Sequence, residues 1–399
     1  MWISWIGLCL NQTFYAIGIV LPAMMAELGF GPSQAGTLGA IGGILTAIFS
    51  IPLNAWVSKF STKLVIGLSI VGMGLAYLAI GWAPRYLILL VVRGVGVLIG
   101  MSMLSAVVIL QNQWFSPAQM GTLNGMRLGM KNVGSILSML GLPILMANFG
   151  GWRSAYYFMA AAMLPVAIAW FLLAKEKRTP EYEATMATQR EAGSPIGLVL
   201  RRKEIILLGG GIAGAFVAYA ALLTFWPTYA IEEKGLALTA CGQILSMTWV
   251  GAMIASFAGG ITSDKIGLRR PQLFFASFLL PAACFAMLQF DSPGILTVIA
   301  FIVGFGAFSS MPVLMAIPFE LGLKPREIAV SIGALLAIIS AGIAVGAQLT
   351  GIMIESLGMY TALATLCAAP LIMTVCTMML PETGPRARAK AASKMTNDQ

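Results

Sequence analysis

The amino-acid sequence predicts an all-α membrane protein of twelve transmembrane helices, arranged as two pseudo-symmetric six-helix bundles. Three observations carry that expectation. The first is composition: of 399 residues, 59% are hydrophobic and 10% charged, and the mean hydropathy is +0.89, whereas soluble chains carry about 25% charged residues. The second is interruption: apolar runs of about 20 residues, the length that crosses a bilayer core, recur twelve times between charged or turn-forming residues. The third is an internal repeat at a fixed offset.

Taken in order, the first span covers residues 2–26. It lacks the charged start of a cleavable signal, and with no charge before Glu27 a short preceding leader is left open. The next five spans fall at 34–58, 64–83, 85–112, 120–147 and 154–174. The longest polar stretch, 175–203, holds seven Lys or Arg and four Glu and divides six spans from six as a loop with some surface helix. The remaining spans fall at 204–231, 239–262, 271–290, 294–318, 327–354 and 358–380. The expected domains are an N-terminal bundle over 1–174, this linker, a C-terminal bundle over 204–380 and a basic tail over 381–399.

Charge sets the orientation. Eighteen Lys and Arg lie on the linker's side, against Arg85, Arg153 and Lys234 on the other. Positive residues stay inside, so both termini are expected in the cytoplasm, in a bacterial inner membrane. The same placement explains the net charge of +9 with no nucleic-acid partner; the bilayer is the expected surrounding and a monomer the expected state. Five cysteines inside apolar spans lack metal-ligand spacing and there is no histidine, so no metal or cofactor is expected.

The repeat appears at the non-apolar positions. Glu27, Gly29, Ser33, Gly36 and Lys59 fall on Glu233, Gly235, Thr239, Gly242 and Lys265 at an offset of 206. Parallel repeats of this kind hold a site at their interface; the two halves are expected to superpose, with the first, fourth, seventh and tenth spans around a central cavity. Ser33 and Thr239 are expected to cap their helices.

The fifth span carries two full charges, Arg127 and Lys131, four residues apart and hence on one helix face. A central Lys or Arg costs about 2.5 to 3.5 kcal/mol on insertion scales, and like charges about 6 Å apart add roughly 2 to 3 kcal/mol at an effective dielectric near 20. None of the 15 Asp and Glu residues lies in the interior of a span; all fall at span ends or in loops. An anionic substrate is therefore the expected partner. A structural pairing of Arg127 with Asp264 or Glu320 is the alternative. Other polar or aromatic residues at mid-span depth are Asn11, Gln12, Tyr15, Ser102, Ser105, Tyr219, Trp226, Gln243, Trp249, Ser309, Ser310 and Gln348. For any one of them, helix–helix packing competes with ligand contact. Glycines at Gly121, Gly125 and Gly129, and at Gly333, Gly342, Gly346 and Gly351, read as close packing, while Pro143, Pro227, Pro312 and Pro318 are expected to kink or interrupt spans.

After the eighth span the chain reads Gly260-Ile261-Thr262-Ser263-Asp264-Lys265-Ile266-Gly267-Leu268-Arg269-Arg270. This resembles the loop signature G-x-x-x-D-[RK]-x-G-[RK]-[RK] of the major facilitator superfamily, where that family places it. Arg93-Gly94-Val95-Gly96 with Gly100 resembles a second family region, and Trp152-Arg153 a third. The resemblance covers essentially the whole chain. It implies a gating role for Asp264, Lys265, Gly267, Arg269 and Arg270, and for Arg93 either a structural role or a gating role through direct coupling or binding; about two turns in from Arg85, Arg93 can also snorkel toward the outer interface. In the first half Ser58 stands where the signature has Asp, so a gate role for that copy is in doubt.

A membrane enzyme would need paired carboxylates, a His or a metal site at depth, and none is present in the sequence; a sensor would want an appended domain. The expectation is a secondary transporter of a small organic or inorganic anion working by alternating access, with a proton or counter-anion as coupling partner left open. The alternative is a carrier of a neutral solute or drug in which Arg127 and Lys131 are structural.

Overall fold

The computed structural model describes residues 1–115, 119–176, 202–323 and 325–386, with backbone alone at 51, 121, 325, 326 and 329. Most of the linker and the end of the tail lie outside these residues. The described elements are all helical. The first span is α1 (Trp2–Asn11), a 3-10 turn (Gln12–Tyr15) and α2 (Ile17–Leu28). Spans two to six are α3 (Pro32–Val57), α4 (Thr62–Trp82), α5 (Tyr86–Trp114), α6 (Met120–Phe149) and α7 (Trp152–Leu173). The second half follows as α8 (Lys203–Glu232), α9 (Leu238–Ile266), α10 (Arg270–Gln289), α11 (Pro293–Ser309) with α12 (Met311–Glu320), α13 (Pro325–Leu357), and α14 (Met359–Leu366) with α15 (Leu371–Met379). Among the described residues, ten helical stretches are long and apolar enough to span and the bent first pair makes an eleventh. Helix α3, 26 residues long but diluted by Gly, Ser and Thr, is the remaining crossing.

The helices end where backbone chemistry ends them. Gly29, Gly150 and Gly267 adopt left-handed φ of 66°, 84° and 71°, the conformation that closes a helix and that side chains resist. The first span bends by 46° because Arg93 inserts at the break: its Nη1 donates to Phe14 O at 2.6 Å and its Nε to Leu38 O at 2.7 Å, satisfying a carbonyl outside the regular ladder. Arg93 is 3% exposed, so it does not reach the outer interface; the carbonyls of the break and of α3 hold it inside the bundle. Of the four prolines, Pro312 follows an interruption, between α11 and α12, while Pro143, Pro227 and Pro318 ride within helices.

The repeat is legible in three dimensions. Gly29 and Gly235 share left-handed geometry, with φ of 66° and 64°. Two carboxylates at the same offset, Glu176 and Glu382, play equivalent structural parts. Each follows the last span of its half and folds back onto the start of that half's third span. Glu176 accepts from Ser61 Oγ and from Thr62 N at 3.2 Å, and Glu382 accepts from Arg269 N at 2.7 Å and Arg270 N at 3.2 Å. Both neutralise orphan N–H groups at a helix start. Glu382→Ala is expected to lower stability by about 0.5 to 2 kcal/mol, the usual loss for a removed cap, readable as a lower melting temperature of the purified protein.

The expected caps at Ser33 and Thr239 are not formed. Pro32 occupies the first helical position of α3, whose N-cap is Gly31, and α9 starts at Leu238 after Ala237. Proline's fixed φ favours that first position, so the helix begins before Ser33. The Ser33 N–H instead donates to Glu355 Oε1 at 2.9 Å, from the end of α13 in the opposite half.

Two antiparallel pairs join the halves, α3 with α13 and α6 with α9. At the end bearing Arg85, Arg153 and Lys234, here the far end, their backbones nearly touch. A Cβ on Gly36 would lie 2.7 Å from Ala347 O, and one on its repeat mate Gly242 would lie 2.3 Å from Met139 O. Gly18 of α2 meets α8 still more closely, at 1.9 Å from Leu223 O. Toward the basic end the pairs part. Gly333 lies eighteen residues from Gly351, five turns along the same face at about 3.6 residues per turn; Gly351 packs against Pro32 O at 2.4 Å, and Gly333 meets nothing within 4 Å. On α6, Pro143 and Gly125 have the same relation: Pro143 packs on Gly242, and Gly125 meets nothing within 4 Å.

Candidate functional site

The opening between α6 and its neighbours is where Arg127 and Lys131 stand. Rotation of about 100° per residue puts Lys131, Ser135 and Ser138 on one face of α6. Met126 (42% exposed), Leu137 (56%) and Ile144 (54%) occupy the opposite, lipid-facing arc. Ser138 Oγ shares a hydrogen bond with Thr13 Oγ1 of the first span at 2.9 Å, and Gly134 packs directly on Cys9. The other flank, Met139 and Pro143, packs on α9. Lys131 therefore projects between the first and eighth spans, into the middle of the molecule. It and Arg127 are half-buried, and Leu128, on the same inner arc, is 50% exposed.

The cations find no carboxylate among the described residues. Arg127 Nη2 donates to Asn124 Oδ1 at 3.3 Å, while its buried Nε has no hydrogen-bond partner. The two acids that could have paired with Arg127 are engaged elsewhere: Asp264 Oδ1 accepts from Arg269 Nη1 at 2.8 Å and Glu320 Oε1 from Arg269 Nη2 at 2.7 Å. What remains is a pair of adjacent positive groups on one face of a membrane-length helix, suited chemically to holding an anion.

The other sequence candidates divide. Tyr15, in the broken stretch of the first span, is 39% exposed. Gln12 is 3% exposed, with Nε2 donating to Leu8 O at 3.2 Å and Oε1 unpartnered. Tyr219 is buried. Asn11 turns away, packing on Gly100 of α5. Trp226 is fully buried and donates to Met287 O at 3.2 Å, tying α8 to α10. Gln243 is exposed in the first turns of α9, near the far end, on the arc shared with Ile254 and Ile261, and the backbone of Gln348 packs against Gly36 in the far-end seal. The structure does not bring these last four to the cations.

The loop after α9 forms a second cluster, at the basic end. Arg269 is 6% exposed and bridges Asp264, Glu320 and Ser263 Oγ, the last at 2.7 Å. The Glu320 hydrogen bond is the largest influence holding its guanidinium above the ordinary value, opposed by burial and aided by Asp264. Arg270 Nη2 donates to Met378 O at 3.1 Å, Lys265 is exposed, and Gly267 supplies the left-handed turn with Arg386 N donating to its carbonyl at 3.1 Å. The carboxylate of Asp264 thus pairs within its own loop; residues 116–118, just before the fifth span, lie outside the described residues.

Residues 3–325 match the family profile described as Major Facilitator Superfamily. The chain belongs to the major facilitator superfamily. Among characterised relatives, it is 26% identical over 285 residues to a hexuronate transporter of Bacillus subtilis, covering 68% of this chain and 66% of that protein. It therefore spans just under two thirds of that relative's length. It is 25% identical over 345 residues to the 4-hydroxybenzoate transporter PcaK of Acinetobacter baylyi, covering 75% of this chain and 73% of the relative. Among solved structures it resembles a bacterial homolog of the human lysosomal transporter Spinster, in an inward-facing and occupied conformation, with a TM-score of 0.78, 17% identity and 94% of each chain covered. That last likeness is one of fold. At the departure noted at Ser58 in this superfamily member, Ser58 Oγ donates to Ala55 O at 2.9 Å, whereas Asp264 of the second half pairs with Arg269.

Proposed function

We propose that this protein is a secondary active transporter that moves a small anionic solute by alternating access, and that the structure is its inward-facing form. The observation that carries this reading is Arg127 and Lys131, adjacent on the inner face of α6 and without a carboxylate partner among the described residues. Hexuronate and 4-hydroxybenzoate, named for two relatives, are both anions, which supports the same class. The basic end is then the cytoplasmic one, in a bacterial inner membrane, and the glycine contacts of the far end form the periplasmic seal. The Arg269 cluster, with Asp264 and Glu320, acts as the cytoplasmic gate. Its ion pairs tie the end of α9 to the end of α12, so that both move as one body when the halves rock. Coupling runs through a proton or an exchanged anion.

Asp264→Asn is accordingly expected to slow transport into proteoliposomes while leaving substrate affinity within about threefold, because the residue lies at the basic end and outside the cation site. An unchanged rate removes the gate assignment. The transport reading itself is tested by thermal unfolding of the purified protein against anions and uncharged analogues of the same size. Binding to the folded state stabilises by about 2.7 kcal/mol at a ligand concentration a hundred times Kd, so a bound anion raises the melting temperature where its neutral analogue does not. Equal shifts with neutral analogues would favour the neutral-solute reading with structural cations.

A further inference from the structure

Opposite the cations, the second half presents an aromatic cluster. Tyr219 of α8, Trp249 of α9 and Phe308 of α11 meet with ring centroids 6.2 Å (Tyr219–Trp249), 5.5 Å (Tyr219–Phe308) and 6.0 Å (Trp249–Phe308) apart. Trp249 is 9% and Tyr219 4% exposed, and Trp249 Nε1 and the Tyr219 hydroxyl are both buried. Thr248 Oγ1 gives its own hydrogen to Leu245 O at 2.7 Å and lies near enough to the phenol to accept from it, so the Trp249 N–H is the donor of the cluster left without a partner. Leaving a buried donor unmade costs about 1 to 3 kcal/mol, and an indole N–H can only donate.

Depth and direction place this cluster beside Lys131. Helices α6 and α9 are antiparallel and level at Met139 and Gly242, where a Cβ on the glycine would lie 2.3 Å from Met139 O. Seven residues toward the basic end, about 10.5 Å at 1.5 Å per residue, α9 reaches Trp249 and α6 reaches Asn132, next to Lys131. Seven residues is also close to two full turns, so Trp249 lies on the face of α9 that Gly242 turns toward α6. A further seven brings Ser256, which is exposed. Trp249 thus sits at the boundary between the closed and the open part of the α6–α9 interface, at the level of the cation pair.

We infer that Trp249 and Tyr219 bind the body of the substrate, and that this body is a flat ring bearing a carboxylate, the ring lying against the aromatic cluster and the carboxylate on Arg127 and Lys131. The inference rests on the anion reading given above and adds the class of anion. Aromatic rings pack edge-to-face with such clusters more favourably than aliphatic groups of equal area, and the free indole N–H selects a ring with an acceptor substituent.

The test measures binding to the purified full-length protein by thermal unfolding and by tryptophan fluorescence, with benzoate, 4-hydroxybenzoate, benzamide, acetate and sulfate as probes. Benzoate and 4-hydroxybenzoate should bind at least about tenfold more tightly than acetate or sulfate. Trp249→Phe, which keeps a ring and removes the N–H, should weaken 4-hydroxybenzoate more than benzoate, while Trp249→Ala weakens both. Lys131→Ala should weaken every anion. If acetate or sulfate binds as tightly as the ring acids, or if Trp249→Phe and Trp249→Ala leave them unchanged while Lys131→Ala weakens all anions, the ring assignment falls and the anion reading stands. Binding of benzamide equal to benzoate and indifferent to Lys131→Ala overturns the anion reading, and no binding by any anion overturns both. Melting temperatures of the unliganded variants separate lost contacts from lost fold, and Trp249→Phe decides the matter where Trp249→Ala does not fold.

Discussion

Lys131→Ala is expected to weaken binding of the transported anion by about 2 to 5 kcal/mol, the range found when one member of a buried charge interaction is truncated, while the melting temperature of the unliganded protein holds or rises. The two readouts move in opposite senses because the lysine has no carboxylate partner among the described residues: without substrate it is a like-charge neighbour of Arg127 on the same helix face. Lys131→Glu should bind substrate less well than Lys131→Ala, since it adds repulsion. A structural lysine predicts the reverse, with lost stability and unchanged affinity. Arginine gives a planar two-pronged contact and lysine a point charge, so Lys131→Arg should restore part of the affinity and alter the preference among anions of different shape.

Gly18→Ala should act at a distance, on the balance between conformations. Its Cβ would lie 1.9 Å from Leu223 O, a backbone atom that no rotamer change can move, and overpacking of this kind costs about 1 to 3 kcal/mol. In the alternating-access cycle proposed above, the clash exists in the form closed at the far end and is relieved when the halves separate there. A penalty near 3 kcal/mol shifts the equilibrium by about 150-fold toward the outward-open form. With the native cysteines replaced and Leu128→Cys introduced as a reporter, an impermeant maleimide should label the parent from the basic side and the Gly18→Ala variant far more slowly. Equal labelling would mean that these glycines merely pack. Gly36→Ala and Gly242→Ala, at matching positions of the repeat, should act in the same direction.

Much of this architecture is legible in the sequence because the signals are one-dimensional. Span lengths follow from hydropathy, and the halves from polar matches such as Gly36 with Gly242. The depth of Arg127 and Lys131 follows from counting along one helix, and the absence of an acid to pair with them from the positions of fifteen residues. What the sequence leaves undetermined is azimuth. Asn11, Trp226 and Gln243 are polar or amphipathic residues within spans like Tyr15, yet they face α5, α10 and the outer arc, and only the packing of neighbouring helices fixes that rotation. Arg93 departs from its expected place for a related reason. Its carbonyl partners belong to a break in another helix, and nothing local to Arg93 announces where that break will be. The Ser33 cap fails on a competition between neighbours, in which Pro32 sets the helix start two residues earlier and a carboxylate from the opposite half takes the Ser33 N–H.

The paired carboxylates Glu176 and Glu382 bear on how such a chain is assembled. Each is supplied by the half it closes, and each reaches back about 115 residues to the start of the third span of that half. Neither half borrows the other's closing group. A ribosome that has released the sixth span therefore has all the parts needed to complete the first bundle before the seventh span is made. Co-expression of two polypeptides divided within the linker should accordingly yield a working pair: each fragment carries its own closure, and the glycines Gly18 of α2, Gly36 of α3, Gly242 of α9 and Gly351 of α13 remain to bring the two together within the bilayer.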